Sequence, residues 1–131
     1  MAEYVISNDN DVALIPSNLS FDESASIPLA GLTSYQALVD VAKLSSGENI
    51  LIHAGSGGVG TIAIQLAKHL GANVTTTTST KNVKLVKDLG ADKVIDYTKH
   101  SYLDEGTKFD VVFNTLDRKS TRLNSSHALI S

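Results

Sequence analysis

The sequence contains no cysteine, so neither a disulfide nor a thiolate metal site can form within it. Tryptophan is absent and aromatics make up only 5% of the chain. Basic residues are also scarce: 11 Lys and Arg stand against 14 Asp and Glu, for a formal charge of −3. Without a basic stripe, neither nucleic acid nor an anionic membrane is an expected partner. No apolar run approaches the roughly 20 residues that span a bilayer, and Met1-Ala2-Glu3-Tyr4 lacks the basic and apolar regions of a signal peptide. A cytoplasmic location is therefore expected. His53, His69, His100 and His127 are scattered rather than spaced as a metal-binding pair, and no metal site is expected.

What is present is 131 residues with 42% apolar content, enough for one domain with a buried core and too short for two. Strand-like and helix-like patterns alternate, the order expected of an α/β fold with a parallel sheet. Asn49 to Ala54 reads as a short apolar strand. Val59, Ile62, Ala63, Leu66, Ala67 and Leu70 recur at three- and four-residue steps and predict a helix with one apolar face, stopped by Gly71. There follow a β-branched strand from Val74 to Thr78, a helix from Asn82 to Leu89 ended by Gly90, and strands Lys93 to Tyr97 and Phe109 to Thr115.

Upstream, Ala2 to Ser7 and Val12 to Ile15 read as short strands around an Asn8-Asp9-Asn10-Asp11 turn. Ser20-Phe21-Asp22-Glu23 has the form of a capping box that opens a helix. Thr33 to Leu44 reads as a second helix with Tyr35, Leu38, Val41 and Ala42 on one face. From Asp117 onward the pattern breaks. Asp117-Arg118-Lys119-Ser120-Thr121-Arg122-Leu123-Asn124-Ser125-Ser126-His127 has no apolar period and looks like a translated sequencing adapter, so residues 117–131 are expected to be a non-native tail.

Chemistry concentrates in Ala54-Gly55-Ser56-Gly57-Gly58-Val59-Gly60. Gly55, Gly57 and Gly60 satisfy G-x-G-x-x-G between a predicted strand and a predicted helix, the context in which this pattern binds a dinucleotide. Gly55 permits the tight turn, Gly57 lets the backbone approach a pyrophosphate, and Gly60 allows close helix packing. The helix N-terminus offers free N–H groups to the phosphates. About 20 residues farther on, an NAD-binding chain carries a carboxylate for the ribose 2′-hydroxyl. Here that stretch is Thr78, Ser79 and Thr80, followed by Lys81 and Asn82. Small hydroxyls beside a lysine suit a 2′-phosphate, which an acidic residue would repel, so NADPH is favoured over NADH. Ser79 or Thr80 also suits the cap of the next helix, and capping does not conflict with phosphate binding.

Three motifs now stand in order: Ala30-Gly31-Leu32-Thr33-Ser34-Tyr35-Gln36-Ala37-Leu38, the glycine loop with Ile64-Gln65-Leu66-Ala67-Lys68, and Leu89-Gly90-Ala91-Asp92-Lys93-Val94-Ile95-Asp96-Tyr97. Together they resemble the zinc-free quinone oxidoreductase branch of the medium-chain dehydrogenase/reductase superfamily, over residues 2–116. The resemblance implies that residues 1–30 close a GroES-like catalytic domain and that 31–116 are a truncated Rossmann domain. It places Thr33 near the nicotinamide and the backbone of Gly57, Gly58 and Val59 near the pyrophosphate, with Gly55, Ser56 and Gly60 of the same loop also expected to bind the cofactor. It further places Ser79, Lys81 and Tyr97 around the adenosine 2′-phosphate and Asn114 at the ribose or adenine, and Thr78 is expected among the cofactor-binding residues.

In the zinc alcohol dehydrogenases of that superfamily a cysteine ligand precedes Ala-Gly-x-Thr. Here the residue is Leu29, whose alkyl side chain cannot ligate a metal and is expected in the core. The implied activity is hydride transfer from NADPH to a quinone or an α,β-unsaturated carbonyl, with a small-molecule acceptor as partner. The residues name no proton donor, and Tyr35 reads as core rather than catalyst. A homodimer is compatible with the resemblance, but nothing in these residues specifies one. Two other readings stay open: a fragment of a zinc-type alcohol dehydrogenase with an altered site, and a nucleotide-binding module without catalysis.

Overall fold

Asn49–Ile52 forms the first strand, β1, because its three apolar residues are buried on both faces of a sheet, as central parallel strands require. The computed structural model describes residues 2–101, 106, 108–116 and 128–130. Four further strands pair with β1 or with its neighbours: β2 (Asn73–Thr78), β3 (Lys93–Asp96), β4 (Val111–Phe113) and β5 (Ala128–Ile130). Their order is β3-β2-β1-β4-β5 and every pairing is parallel. This is the α/β, Rossmann-type arrangement the alternating pattern predicts, with the chain reversing direction across the sheet beside β1. Most of the tail read as non-native, 117–131, lies outside the described residues; its exception is β5, a strand the sequence reading did not foresee.

Four helices are described: α1 (Phe21–Ala25), α2 (Pro28–Tyr35), α3 (Gly58–His69) and α4 (Val83–Asp88). The Ser20 half of the capping box forms, its Oγ accepting from the Glu23 N–H at 3.1 Å. Gly71 and Gly90, at φ of 85° and 115°, end α3 and α4 in the left-handed conformation that glycine adopts without strain. Buried Ala63, Ile64 and Ala67 of α3 pack with Ile50, Ile52, Val74, Val111 and Phe113 of the sheet. The alternate strand residues Leu51 and Val112 join Phe109 in a second, smaller cluster. Ile64 lies outside the apolar stripe read from the sequence yet is fully buried, so the stripe faces the sheet one residue farther round.

The second helix departs from its predicted form. It starts at Pro28, whose missing N–H costs nothing in a first turn, and continues from Gln36 to Val41 as a π-helical run. The Ala42 N–H reaches Ala37 O at 2.9 Å and the Leu44 N–H reaches Leu38 O at 2.9 Å. Wider turns carry side chains off the 3.6-residue period. Ala37 and Leu38 are therefore buried, while Tyr35 and Val41 are 49% and 67% exposed. Tyr35, expected in the core, lines an open apolar groove of about 870 Å³ between residues 10–16 and helices α2 and α3.

The expected strands Ala2 to Ser7 and Val12 to Ile15 do not form. Among the described residues nothing pairs with them, and alternation alone cannot satisfy a strand's backbone groups. The turn expected between them does form, as a 3-10 turn over Asp9–Asp11, with Asn8 Nδ2 donating to Asp11 Oδ2 at 3.1 Å. No described residue before Ser34 is buried, and Leu29, expected inside, is 84% exposed.

Candidate functional site

The carboxyl ends of β1, β2, β3 and β4 share one rim of the sheet, and the residues singled out by the sequence, Thr33 of α2 excepted, stand at that rim. Beyond β1, His53 is 6% exposed and its Nδ1 lies 3.3 Å from Thr77 Oγ1. Burial penalises the imidazolium and lowers the pKa of His53 below its ordinary value. Ala54 follows in a left-handed conformation, φ 52°, held by its N–H to Thr77 Oγ1 at 3.1 Å. The loop then turns sharply, the Gly57 N–H bonding Ala54 O at 2.9 Å and the Gly55 N–H bonding Thr77 O at 3.0 Å.

Each loop glycine meets a different constraint. A Cβ on Gly55 would fall on Thr76 Oγ1, and one on Gly60 would sit 2.4 Å from Ala54 O, so the loop packs through bare backbone there. Around Gly58 nothing lies within 4 Å of a Cβ position, which leaves the space over the loop open. The first intrahelical bond of α3 runs from the Thr61 N–H to Gly57 O at 2.9 Å. The N–H groups of Gly58, Val59 and Gly60 therefore have no acceptor within the helix. Unpaired donors, a helix dipole and open space suit a phosphate.

The wall beyond β2 is polar. Thr78 is 1% exposed, and its Oγ1 donates to Ser56 Oγ at 3.0 Å. Asn82 Nδ2 reaches Ser56 Oγ at 3.2 Å and Ser79 Oγ at 3.4 Å. Ser79 is half-buried, and Lys81 is exposed beside it. Tyr97, 62% exposed, is brought to the end of β2 by its N–H, which bonds Thr78 O at 3.1 Å. The sequence lacks a carboxylate at 78–82, but the sheet supplies one from β3, where Asp96 pairs with Thr78. Asp96 accepts from Thr80 Oγ1 at 2.5 Å, Thr98 Oγ1 at 2.5 Å and the Thr98 N–H at 3.0 Å. The Thr80 bond, then the Thr98 hydroxyl bond, hold its pKa below the ordinary carboxylate value.

Thr33 is exposed on α2, its hydroxyl turned back to Leu29 O at 2.7 Å. The residue that fastens α2 to the loop helix is its neighbour Ser34, fully buried, whose Oγ reaches Val59 O at 3.2 Å. Asn114, past β4, is 4% exposed and its Oδ1 accepts from the Leu116 N–H at 2.9 Å. Nothing in the sequence alone marks Ser34, Asn82 or Asp96. Their contacts cross 16 to 26 residues, and only pairing register makes them visible.

A family model described as zinc-binding dehydrogenase matches residues 58–129. The chain belongs to that family. The match places the chain in the medium-chain dehydrogenase/reductase superfamily that its motifs resemble. It is similar to a 2-methylene-furan-3-one reductase of Solanum lycopersicum, 48% identical over 118 residues that cover 88% of this chain and 30% of that protein. It is also similar to a chloroplastic NADPH-dependent alkenal/one oxidoreductase of Arabidopsis thaliana, 43% identical over 118 residues, covering 88% and 30%. Among solved structures it resembles the quinone oxidoreductase from Coxiella burnetii, with TM-score 0.71 and 46% identity over 75% of this chain and 31% of that one. The chain thus spans 30% of the length of those two curated relatives. The matched range does not include Leu29, so the family's descriptive name says nothing of a metal at that position.

Proposed function

We propose that this chain supplies the NADPH-binding part of a reductase that transfers hydride to a quinone or an α,β-unsaturated carbonyl. The observation that carries the cofactor assignment is the wall beyond β2. It presents Ser79 and Lys81, while the nearby carboxylate of Asp96 is bonded to Thr80 and Thr98. A 2′-phosphate there meets hydroxyl and ammonium donors. The relatives support the acceptor class through their names: one is an alkenal/one oxidoreductase that uses NADPH, another a furanone reductase.

In this reading the N–H groups of Gly58, Val59 and Gly60, with Ser56, hold the pyrophosphate over the turn made by Gly55 and Gly57. Ser79, Lys81 and Tyr97 hold the 2′-phosphate, and Thr78 supports that wall from beneath. Asn114 edges the ribose or adenine, and Thr33 faces the nicotinamide. NADPH, when bound, supplies the hydride. No residue of this chain is assigned as proton donor. The reductase works without zinc at the position of Leu29, whose alkyl group has no lone pair to offer a metal.

We also infer that residues 1–30 end a GroES-like catalytic domain and that 31–116 are the truncated nucleotide domain; the lack of buried residues before Ser34 among the described residues supports that boundary. The stretch 117–131 is proposed to be non-native, and resequencing the gene across codons 110 to 131 tests this. Cytoplasmic placement and homodimerisation belong to the same proposal, although the Arabidopsis relative is chloroplastic by name. A fluorescent fusion and sedimentation of the purified protein decide these two points.

Fluorescence titration of the protein with NADPH and NADH is the primary test. NADPH is expected to bind at least about tenfold tighter, one hydrogen-bonded charge pair being sufficient for that ratio. Preference for NADH would overturn the cofactor assignment. NADPH binding without its oxidation by any of a panel of quinones and enones, in the enzyme of full family length, would favour the non-catalytic module.

A further inference from the structure

Ser56 Oγ is the meeting point of two segments that the sequence keeps apart. A hydroxyl oxygen has two acceptor positions and one proton. Here Thr78 Oγ1 donates into Ser56 Oγ at 3.0 Å, and Asn82 Nδ2 donates into it at 3.2 Å. Both acceptor positions are filled, and the hydroxyl proton is the remaining valence. Asn82 is not held in place by capping duty, because it stands at the N-cap of α4 without a side-chain cap bond. Its second contact, to Ser79 Oγ at 3.4 Å, ties the same amide to the wall beyond β2.

We propose that Asn82 is a positioning residue for the glycine loop: with Thr78 it saturates the Ser56 oxygen as an acceptor, so that the Ser56 hydroxyl can only donate, and does so to the anion held at the loop. The inference rests on the reading that this loop holds a dinucleotide. Without Asn82, one acceptor position opens and the Ser56 proton is free to rotate among several partners. Binding then pays the entropy of fixing it. Asn82 acts through Ser56 and need not touch the cofactor itself.

The test is a double-mutant cycle read by NADPH fluorescence titration of the protein, with Asn82→Ala, Ser56→Ala and the double variant. Each single change is expected to weaken NADPH binding about fivefold, the range for one hydrogen bond. The double variant is expected to bind no more weakly than Ser56→Ala alone, because a residue that acts through another loses its effect once that partner is gone. Thr78→Val, nearly isosteric and β-branched in a buried strand, removes the other donor and is expected to show the same dependence on Ser56. It carries the test if Asn82→Ala does not fold. Wild-type affinity in Asn82→Ala, or a double variant weakened about 25-fold as independent effects would multiply, overturns the inference alone. Wild-type protein that bound neither NADPH nor NADH would overturn the proposed function, and this inference with it.

Discussion

The carbonyl oxygen of Ala54 occupies the place where a side chain on Gly60 would have to go, 2.4 Å from an ideal Cβ. Because backbone meets backbone, no rotamer change can relieve the clash. Gly60→Ala is expected to destabilise the fold by about 1–3 kcal/mol, the range for overpacking a tight contact, and to abolish measurable NADPH binding. Gly58→Ala should fold like the wild type, since nothing lies within 4 Å of its Cβ position, yet weaken NADPH because the methyl enters the space over the loop. Thermal melts beside titrations separate the two outcomes; equal stability loss in both variants would contradict this assignment of the open space.

Asp92 lies at the opposite rim, where its Oδ2 accepts from the Val74 N–H at 2.7 Å and pairs with Lys68 Nζ at 3.0 Å. Partial burial opposes its charge, but those two partners outweigh the burial and hold its carboxyl below the ordinary value. A depressed carboxylate pKa adds stability that is present above the unfolded value, near pH 4, and lost as pH falls through the folded one. With side chains 36% and 47% exposed, solvent screening reduces the ion-pair part. Asp92→Asn is therefore expected to cost about 1 kcal/mol at pH 7, with the gap to wild type closing below about pH 4. Urea unfolding at both pH values measures it.

His53 gives a second pH dependence of the same sign. Its burial lowers its pKa in the fold, so as pH falls through about 6.5 the unfolded chain takes up a proton before the folded one does. Stability should decline from pH 7 towards pH 5 through this group. Replacing His53 by Gln should flatten that part of the profile in chemical unfolding, whatever it does to stability at pH 7. An unchanged slope would mean that His53 takes up its proton over the same pH range in the folded and the unfolded chain.

The π-helical run makes a contrast between residues three apart. Leu38→Ala is expected to cost about 2–5 kcal/mol, the range for truncating a fully buried leucine, because Leu38 is 0% exposed. Val41→Ala should change stability by less than about 0.5 kcal/mol, since Val41 is 67% exposed. Regular α-helical periodicity would place both on one face, so comparable losses would argue against the π register.

The glycine loop was legible in the sequence because its spacing encodes a backbone shape: only glycine fits where Gly55 meets Thr76 and Gly60 meets Ala54. Gly71 and Gly90 marked helix ends for the same local reason. The parallel sheet followed from the alternation of apolar strands and helices. Contacts between chemically ordinary residues were not legible. Asp96 reaches Thr80 only because Thr78 and Asp96 fall opposite each other in β2 and β3, and Asn82 reaches Ser56 only because α4 begins beside the loop. The N-terminal strands failed for the converse reason, their alternation having no described partner, and Leu29 shows that an apolar letter does not by itself report burial.

All pairings in the sheet being parallel, the two ends of the strands hold different kinds of residue. At the starting end, Asp92 bonds the Val74 N–H, Asp110 Oδ2 takes the Asn49 N–H at 2.8 Å, and Asn73 Nδ2 bonds Gly47 O at 3.2 Å. At the finishing end stand the loop glycines, Ser56, Thr78 and Tyr97. The strands between are only three to six residues long, yet they hold the two sets of bonds apart. Heat tolerance and cofactor preference can therefore be engineered separately in one small sheet: changes that retune the nucleotide belong at one margin, reinforcing bonds at the other, and the buried strand residues should be left untouched by both.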